Sequence, residues 1–218
     1  LPWPGYFSKI IKSDIFVFLD DVKCSKNSFF NRNRFSSNDT WFWLGIPLPR
    51  ASYNLKINKI NVDTSFTNKH IKYFKLNHFK KTKEKKIVEN IIDLYEETSE
   101  KDFISVSEFN ISGIKIILDA LGCQTRIVKS SDLDLDRSLK KQNLIIDIVQ
   151  RLEGDHYISG TGGKSYQSEE LFLENNISVS YNPFMPAITN MIKSECMSIF
   201  DCFLREDINQ IKRGLKNQ

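Results

Sequence analysis

The sequence predicts an α/β protein built on a mostly parallel, twisted sheet with helices on both faces. Ile15-Phe16-Val17-Phe18-Leu19 is an unbroken run of β-branched, aromatic and aliphatic residues, the pattern of a parallel strand covered on both sides. The last third alternates short strand patterns with amphipathic helical ones, the mark of βαβ units. A length of 218 residues, 40% of them hydrophobic, is enough for a sizeable core without disulfides or a structural metal. With no internal repeat or long linker, residues 1–218 are expected to form a single domain, with extra strands near its N-terminal third.

Pro2 and Pro4 precede an apolar spacing through Ile11 that suits a helix start. The buried strand at 15–19 follows and closes on Asp20-Asp21. Phe42 to Pro47 reads as a second strand, placed at an edge or a strand end by its proline, and the alternation from Lys56 to Val62 reads as a third. From Lys83 to Glu97 the apolar residues fall on one helical face, and a second helix from Ile111 to Leu121 stops at Gly122. Thr125 to Val128 is a strand ending at Ser130-Ser131-Asp132, and Leu139 to Leu152 is a helix. His156 to Ser159 is a strand running into Gly160-Thr161-Gly162-Gly163-Lys164; a helix around Glu169 to Glu174 then leads to a strand at Ile177 to Tyr181.

Lys and Arg number 31 against 27 Asp and Glu, a net charge of +4. That excess is compatible with a phosphate-bearing ligand and does not demand nucleic acid. Cys24, Cys123, Cys196 and Cys202 form no CxxC pair and no zinc spacing, so no metal site is expected. No apolar run reaches membrane-spanning length and no signal peptide is recognised, so the expected location is the cytoplasm. The chain starts at Leu1 without a methionine, and a short N-terminal strand is expected to be missing from it.

Ligands of open parallel sheets bind outside the carboxyl ends of the strands, which marks four loops, Asp20-Asp21 onward, Ser130-Ser131-Asp132, Ser159 to Lys164 and Tyr181 onward, of which the first and third carry the richest chemistry. In the first, the carboxylates of Asp20 and Asp21 are followed by Lys23, Lys26, Asn31, Arg32, Asn33 and Arg34. Guanidinium forks and lysines hold phosphate, while a carboxylate can orient a hydroxyl, bind magnesium or act as a base. In the third, Ser159, Gly160, Gly162, Gly163 and Tyr166 lie on a glycine-rich turn whose amides could face an anion. It lacks the glycine-to-lysine spacing of a Walker A loop. His70 is a reserve base. His78 reads as a solvated side chain in a basic stretch, and His156 as a strand residue meeting local hydrogen bonds. Cys24 lacks a base partner, and Trp41 and Trp43 read as core or hairpin packing residues. The basic run at 80–86 is diluted by Glu84 and reads as a solvated helix face.

Leu1-Pro2-Trp3-Pro4-Gly5-Tyr6-Phe7, Phe16-Val17-Phe18-Leu19-Asp20-Asp21-Val22 and Asn31-Arg32-Asn33-Arg34 together resemble the opening signature of the WbqC-like family. Lys69-His70, Tyr157 to Gly160 and Ser198 to Asp201 are also similar to its pattern, so the likeness covers nearly the whole chain. In that family the first block normally follows a strand and a Gln-Pro pair. The family is found among surface-polysaccharide and O-antigen genes, and its name-giving member is regarded as a glycine transferase. The resemblance implies amide formation between an aminoacyl group, with aminoacyl-tRNA as one donor, and the amine of a nucleotide-linked amino sugar. Arg32, Arg34 and Lys23 or Lys26 would then hold a diphosphate, Asp20 or Asp21 would orient the donor or take a proton, and Tyr6 would join the binding residues. The strand, proline-rich turn and helix are similar to nucleotidylyltransferase-like folds, which leaves the cofactor open, with ATP and magnesium as the candidates. The competing expectation is a non-catalytic protein that binds RNA or a sugar nucleotide through the 29–34 segment.

Overall fold

The computed structural model describes residues 1–25, 28–37, 40–183 and 197–216. Helix α1 (Pro4–Ile11) opens with proline at its first position, where the missing N–H has no helical partner to lose, and it buries Phe7 and Ile10 completely. The chain returns as β1 (Ile15–Phe18), which pairs in parallel with β4 (Arg126–Lys129) from Ile15 opposite Arg126 to Phe18 opposite Lys129. Between them β2 (Arg32–Ser37) and β3 (Thr40–Gly45) form an antiparallel pair with Arg34 opposite Trp43 and Phe35 opposite Phe42. The Asn-Arg-Asn-Arg stretch, expected as a loop, is therefore a strand. Its inward residues are Asn33 and Phe35, both buried, while Arg32 and Arg34 lie on the opposite face.

The strand expected at 56–62 is replaced by a tight turn at Ile57–Lys59 between two single bridges, Lys23 to Lys56 and Asn61 to Ser105. Its amides go to scattered partners: Ile57 N to Val22 O, Asn58 N to Asp20 O and Val62 N to Ile104 O. The alternating apolar residues serve as pegs, with Ile60 and Val62 buried, rather than as one ladder. Helix α2 (Thr67–Phe74) continues through a wider turn at Lys75–Phe79, and α3 (Lys85–Ser99) and α4 (Val106–Ala120) pack on one another. Helix α4 begins at Val106 rather than Ile111 because Ser105 and Glu108 form a reciprocal capping box. Gly122, with φ of +63°, ends it as expected.

Helix α5 (Lys141–Arg151) leads to β5 (His156–Gly160), and α6 (Glu169–Glu174) connects β5 to β6 (Ser178–Asn182), its parallel partner. Ile146, Phe172 and Ile177 form a small core apart from the main one. Helix α7 (Ile208–Lys216), unanticipated from the sequence, packs on α1, where Ser8 Oγ donates to Leu215 O at 3.1 Å. The α/β organisation holds, although the described residues form two parallel pairs and one antiparallel pair rather than one continuous sheet.

The turn at Ile199–Leu204 is the centre of the main core, with Phe200 and Phe203 at most 1% exposed. Ile199 N donates to Pro2 O at 2.9 Å, and Asp201 accepts from Ser36 N and Ser36 Oγ, both at 2.9 Å. His78 Nε2 lies 3.2 Å from Asp201 Oδ1. His78 is wholly buried between Phe74, Tyr73 and Phe200, so the expectation of a solvated side chain is overturned; the apolar neighbours that enclose it are distant in sequence.

Candidate functional site

The carboxyl ends of β1 and β4 are joined through Asp20 and Asp21. Asp20 Oδ1 accepts from Ser131 N at 2.9 Å, and Oδ2 from Ser131 Oγ at 2.7 Å and Asn58 Nδ2 at 3.3 Å. Ser130 Oγ stands 3.2 Å from Asp20 Oδ1 and 2.6 Å from Asp21 Oδ1, with one proton to serve both. Burial opposes the charge on Asp20, but the bonds from Ser131, Asn58 and Ser130 outweigh it and hold the carboxyl below its usual range. Arg137 binds Asp21 Oδ2 and also donates to Ser130 O and Leu133 O, while Lys56 Nζ approaches Asp21 at 3.5 Å.

Beside this clamp opens a cavity of about 350 Å³ lined by Trp3, Tyr6, Lys9, Asp20, Asn33 and Asn110 among mainly apolar neighbours. Asn33 is 3% exposed; its Nδ2 donates to Leu1 O at 2.8 Å and its Oδ1 accepts from Arg34 N at 2.8 Å. Asn110 Nδ2 donates to Phe30 O at 2.6 Å. Tyr6 packs on Phe7, Phe16 and Phe18, and burial raises its phenol pKa. Lys9 reaches over the Tyr6 and Phe16 rings at 5.9 and 5.6 Å, and burial pushes its ammonium pKa down. Lys9 was not singled out from the sequence; its signal was the three-residue step from Tyr6 on α1, which puts both on one helical face. Ser131 lies on one of the marked loops and meets Asp20, whereas Asn58 and Arg137 carried no local signal, because their contacts depend on how distant segments pack.

The other expected residues are dispersed. Arg32 stacks over Trp43 at 4.5 Å, and Arg34 over Trp41 and Trp43 at 4.6 and 5.3 Å. Trp41 and Trp43 are 42% and 39% exposed and pack edge to face on the hairpin, so of the two expectations hairpin packing holds and core packing does not, and with Phe29 and the arginines they form an outward cationic and aromatic face. Asn31 closes the hairpin by donating to Ile46 O at 3.1 Å. Lys23 is exposed, and Lys26 lies outside the described residues. His70 is enclosed by Phe66 and Tyr95, with Nδ1 3.3 Å from Tyr95 Oη; burial, aided by nearby positive charge, pushes its pKa down to about 3. It lines neither this cavity nor the glycine-rich turn.

That turn, Thr161–Ser165, follows β5. Ser159 Oγ donates to Gln167 Oε1 at 2.8 Å, and a Cβ on Gly163 would stand 2.3 Å from Ser159 Oγ, so packing explains this glycine. Gly160 and Gly162 have no positive φ, and a Cβ on either would meet nothing within 4 Å. Neither conformation nor crowding requires glycine there, which leaves close approach of a ligand as a physical reason. Tyr166 is 72% exposed beside them. Among the described residues no group of three or more His, Cys, Asp or Glu side chains could hold a metal ion, and no helix is long and apolar enough to cross a membrane. Cys196 lies outside the described residues; burial raises the thiol pKa values of Cys24 and Cys202.

The model of the WbqC-like protein family matches residues 1–213. An uncharacterized protein of Mycobacterium tuberculosis, Rv1507c, is 26% identical over 183 residues, covering 83% of this chain and 77% of the relative. No solved structure matches the chain.

Proposed function

Because the chain belongs to the WbqC-like protein family, we propose that it forms an amide between an aminoacyl group and the amine of a nucleotide-linked amino sugar. The carrying observation is the cavity of about 350 Å³ at the carboxyl end of β1, in which a charged Asp20 and a buried Lys9 of lowered pKa share one apolar enclosure. Its size suits one sugar ring. Asp20 would accept a hydrogen bond from the neutral acceptor amine and orient its lone pair toward the acyl carbon. Lys9, whose burial favours the uncharged form, would take the proton released when the acceptor nitrogen bonds to the acyl carbon. The bond from that carbon to its carrier oxygen breaks, and the carrier leaves with the electron pair. Amides of the turn beyond Gly160 would face the diphosphate.

The test is thermal stabilisation of the full-length protein by UDP- and dTDP-amino sugars, by ATP with magnesium, and by aminoacyl-tRNA, followed by mass spectrometry for the amide. Stabilisation by an amino-sugar nucleotide but not by its hydroxyl analogue supports the proposal. Equal response to both analogues removes the amine from it. The stacked Arg32, Arg34, Trp41, Trp43 and Phe29 face supports a second reading, binding of single-stranded RNA without catalysis. Stabilisation by RNA alone, lost at high salt and with no amide formed, would favour it.

A further inference from the structure

A cavity that suits one sugar ring leaves no room for the carrier of an aminoacyl donor, which must lie on surface continuous with its mouth. Phe29 supplies that continuity. It lines the cavity together with Asp20, Lys9 and Asn33, and its ring centroid stands 5.9 Å from that of Trp43. Trp41 follows at 6.0 Å, edge to face with Trp43. Three rings therefore step away from the cavity at nearly equal intervals, and all three residues remain 39–50% exposed. Two cations are built into the same row. Strand alternation places Arg32, Arg34, Trp41 and Trp43 on the outward face of β2–β3. Arg34 reaches both indoles, at 4.6 Å from Trp41 and 5.3 Å from Trp43, and Arg32 stacks on Trp43 at 4.5 Å. A stacked guanidinium lays its face on the ring and keeps N–H groups at its edge, where they can meet phosphate.

Two residues along a strand span ~6.6 Å, so the arginines repeat at about the interval of the rings. The hairpin that carries them is fastened from behind. Ser198 N donates to Arg34 O at 3.0 Å, Asp201 accepts from Ser36 N and Ser36 Oγ, and the alternate residues Asn33 and Phe35 are buried. A face held in this way loses little freedom when a ligand binds. Rings and positive charges that repeat together match a single-stranded nucleic acid, whose bases stack while its phosphates meet the arginines. A carrier with one base, such as an adenylate, would use one ring and leave the row unexplained. We propose that the β2–β3 face binds the unpaired 3′ end of an aminoacyl-tRNA, and that Phe29 is the step at which the terminal nucleotide turns its aminoacyl ester into the cavity beside Asp20. RNA binding stands on the rings and arginines alone; the role of this face as the donor subsite rests on the transferase reading. Asn33 ties the two regions together, because it sits between the two arginines in sequence and lines the cavity from the opposite face of the strand.

The experiment titrates the full-length protein with bulk tRNA, with the same tRNA trimmed of its unpaired 3′ nucleotides, and with AMP, read by fluorescence anisotropy and tryptophan quenching. Amide formation is followed in parallel by mass spectrometry, from bulk aminoacyl-tRNA and from aminoacyl adenylates, with UDP- and dTDP-amino sugars as acceptors. Trimming should raise Kd at least ~10-fold, and Phe29→Ala and Trp43→Ala should each do the same for the intact tRNA. Trp43→Phe keeps a ring and should restore most of the affinity, which separates stacking from any folding loss in the alanine variant. Arg32→Gln should lower the slope of log Kd against log salt by roughly 0.7, the share of one phosphate. Equal binding of intact and trimmed tRNA, or affinity untouched by both ring substitutions, overturns the inference, as does AMP binding as tight as tRNA. Ring-dependent tRNA binding with no amide from either donor overturns the donor role together with the transferase reading. Amide formed from the adenylates alone, and unchanged by Phe29→Ala, keeps the transferase reading and overturns the RNA donor.

Discussion

Replacing Asp20 with alanine separates its fastening role from its proposed chemical one. The substitution removes the acceptor of Ser131 N, Ser131 Oγ and Asn58 Nδ2 and its share of Ser130 Oγ. A hydrogen bond to a charged group contributes about 1.5–3 kcal/mol, and bonds to one carboxylate are not additive. Water can re-solvate donors near the cavity mouth, so a net loss of about 3–4 kcal/mol is expected. For a chain of this length that lowers Tm by roughly 6–15 °C, read by calorimetry with urea denaturation as a second measure. The pH dependence supplies an internal control. The folded carboxyl titrates below its unfolded value of about 3.9, so its stabilisation is complete above about pH 4 and fades as pH falls through the folded value. The gap between wild type and variant should therefore close in acid. A loss below about 1 kcal/mol at pH 7, or a gap that does not narrow below pH 4, refutes the clamp.

Gly163→Ala should cost about 1–3 kcal/mol because its Cβ would meet Ser159 Oγ and Gln167 Oε1, whereas Gly160→Ala and Gly162→Ala should stay within about 0.5 kcal/mol in urea denaturation. Arg32→Ala should lower stability by no more than about 1 kcal/mol, the size of an exposed cation–π contact, while raising Kd for an anionic ligand by isothermal titration; the reverse pattern would make Arg32 structural. His70 titrates near 3 when folded and near 6.5 when unfolded. The unfolded chain binds the extra proton, so stability should fall as pH drops from about 6.5 toward 3. His70→Leu should flatten that slope in pH-dependent calorimetry.

Local signals were readable. The run at Ile15 to Leu19 forms β1, the amphipathic stretch at 83–97 forms most of α3, and Gly122 stops α4 in the left-handed region that favours glycine. Where one strand face carries arginine and the other a buried asparagine, alternation of polarity is lost, which is why β2 read as a loop. Trp41 and Trp43 looked like packing residues because nothing local reveals that guanidinium groups cover them. The aspartates at 20 and 21 were visible as candidates. The loop at 130 and 131 was visible too as a strand end, but that it meets these aspartates depends on the pairing of strands more than a hundred residues apart, and no local pattern encodes that.

The fastening of Ile199 to Pro2, of Asp201 to Ser36 and of Leu215 to Ser8 has a consequence for biosynthesis. A two-stranded hairpin such as β2–β3 is marginal in isolation, and Asp201, which anchors it, emerges from the ribosome 165 residues after Ser36. Synthesis at about 5–20 residues per second therefore leaves the N-terminal quarter without its final contacts for on the order of ten seconds or longer. During that interval the exposed edges and aromatic rings of the hairpin are substrates for chaperones, and the emergence of Asp201 sets when that dependence ends.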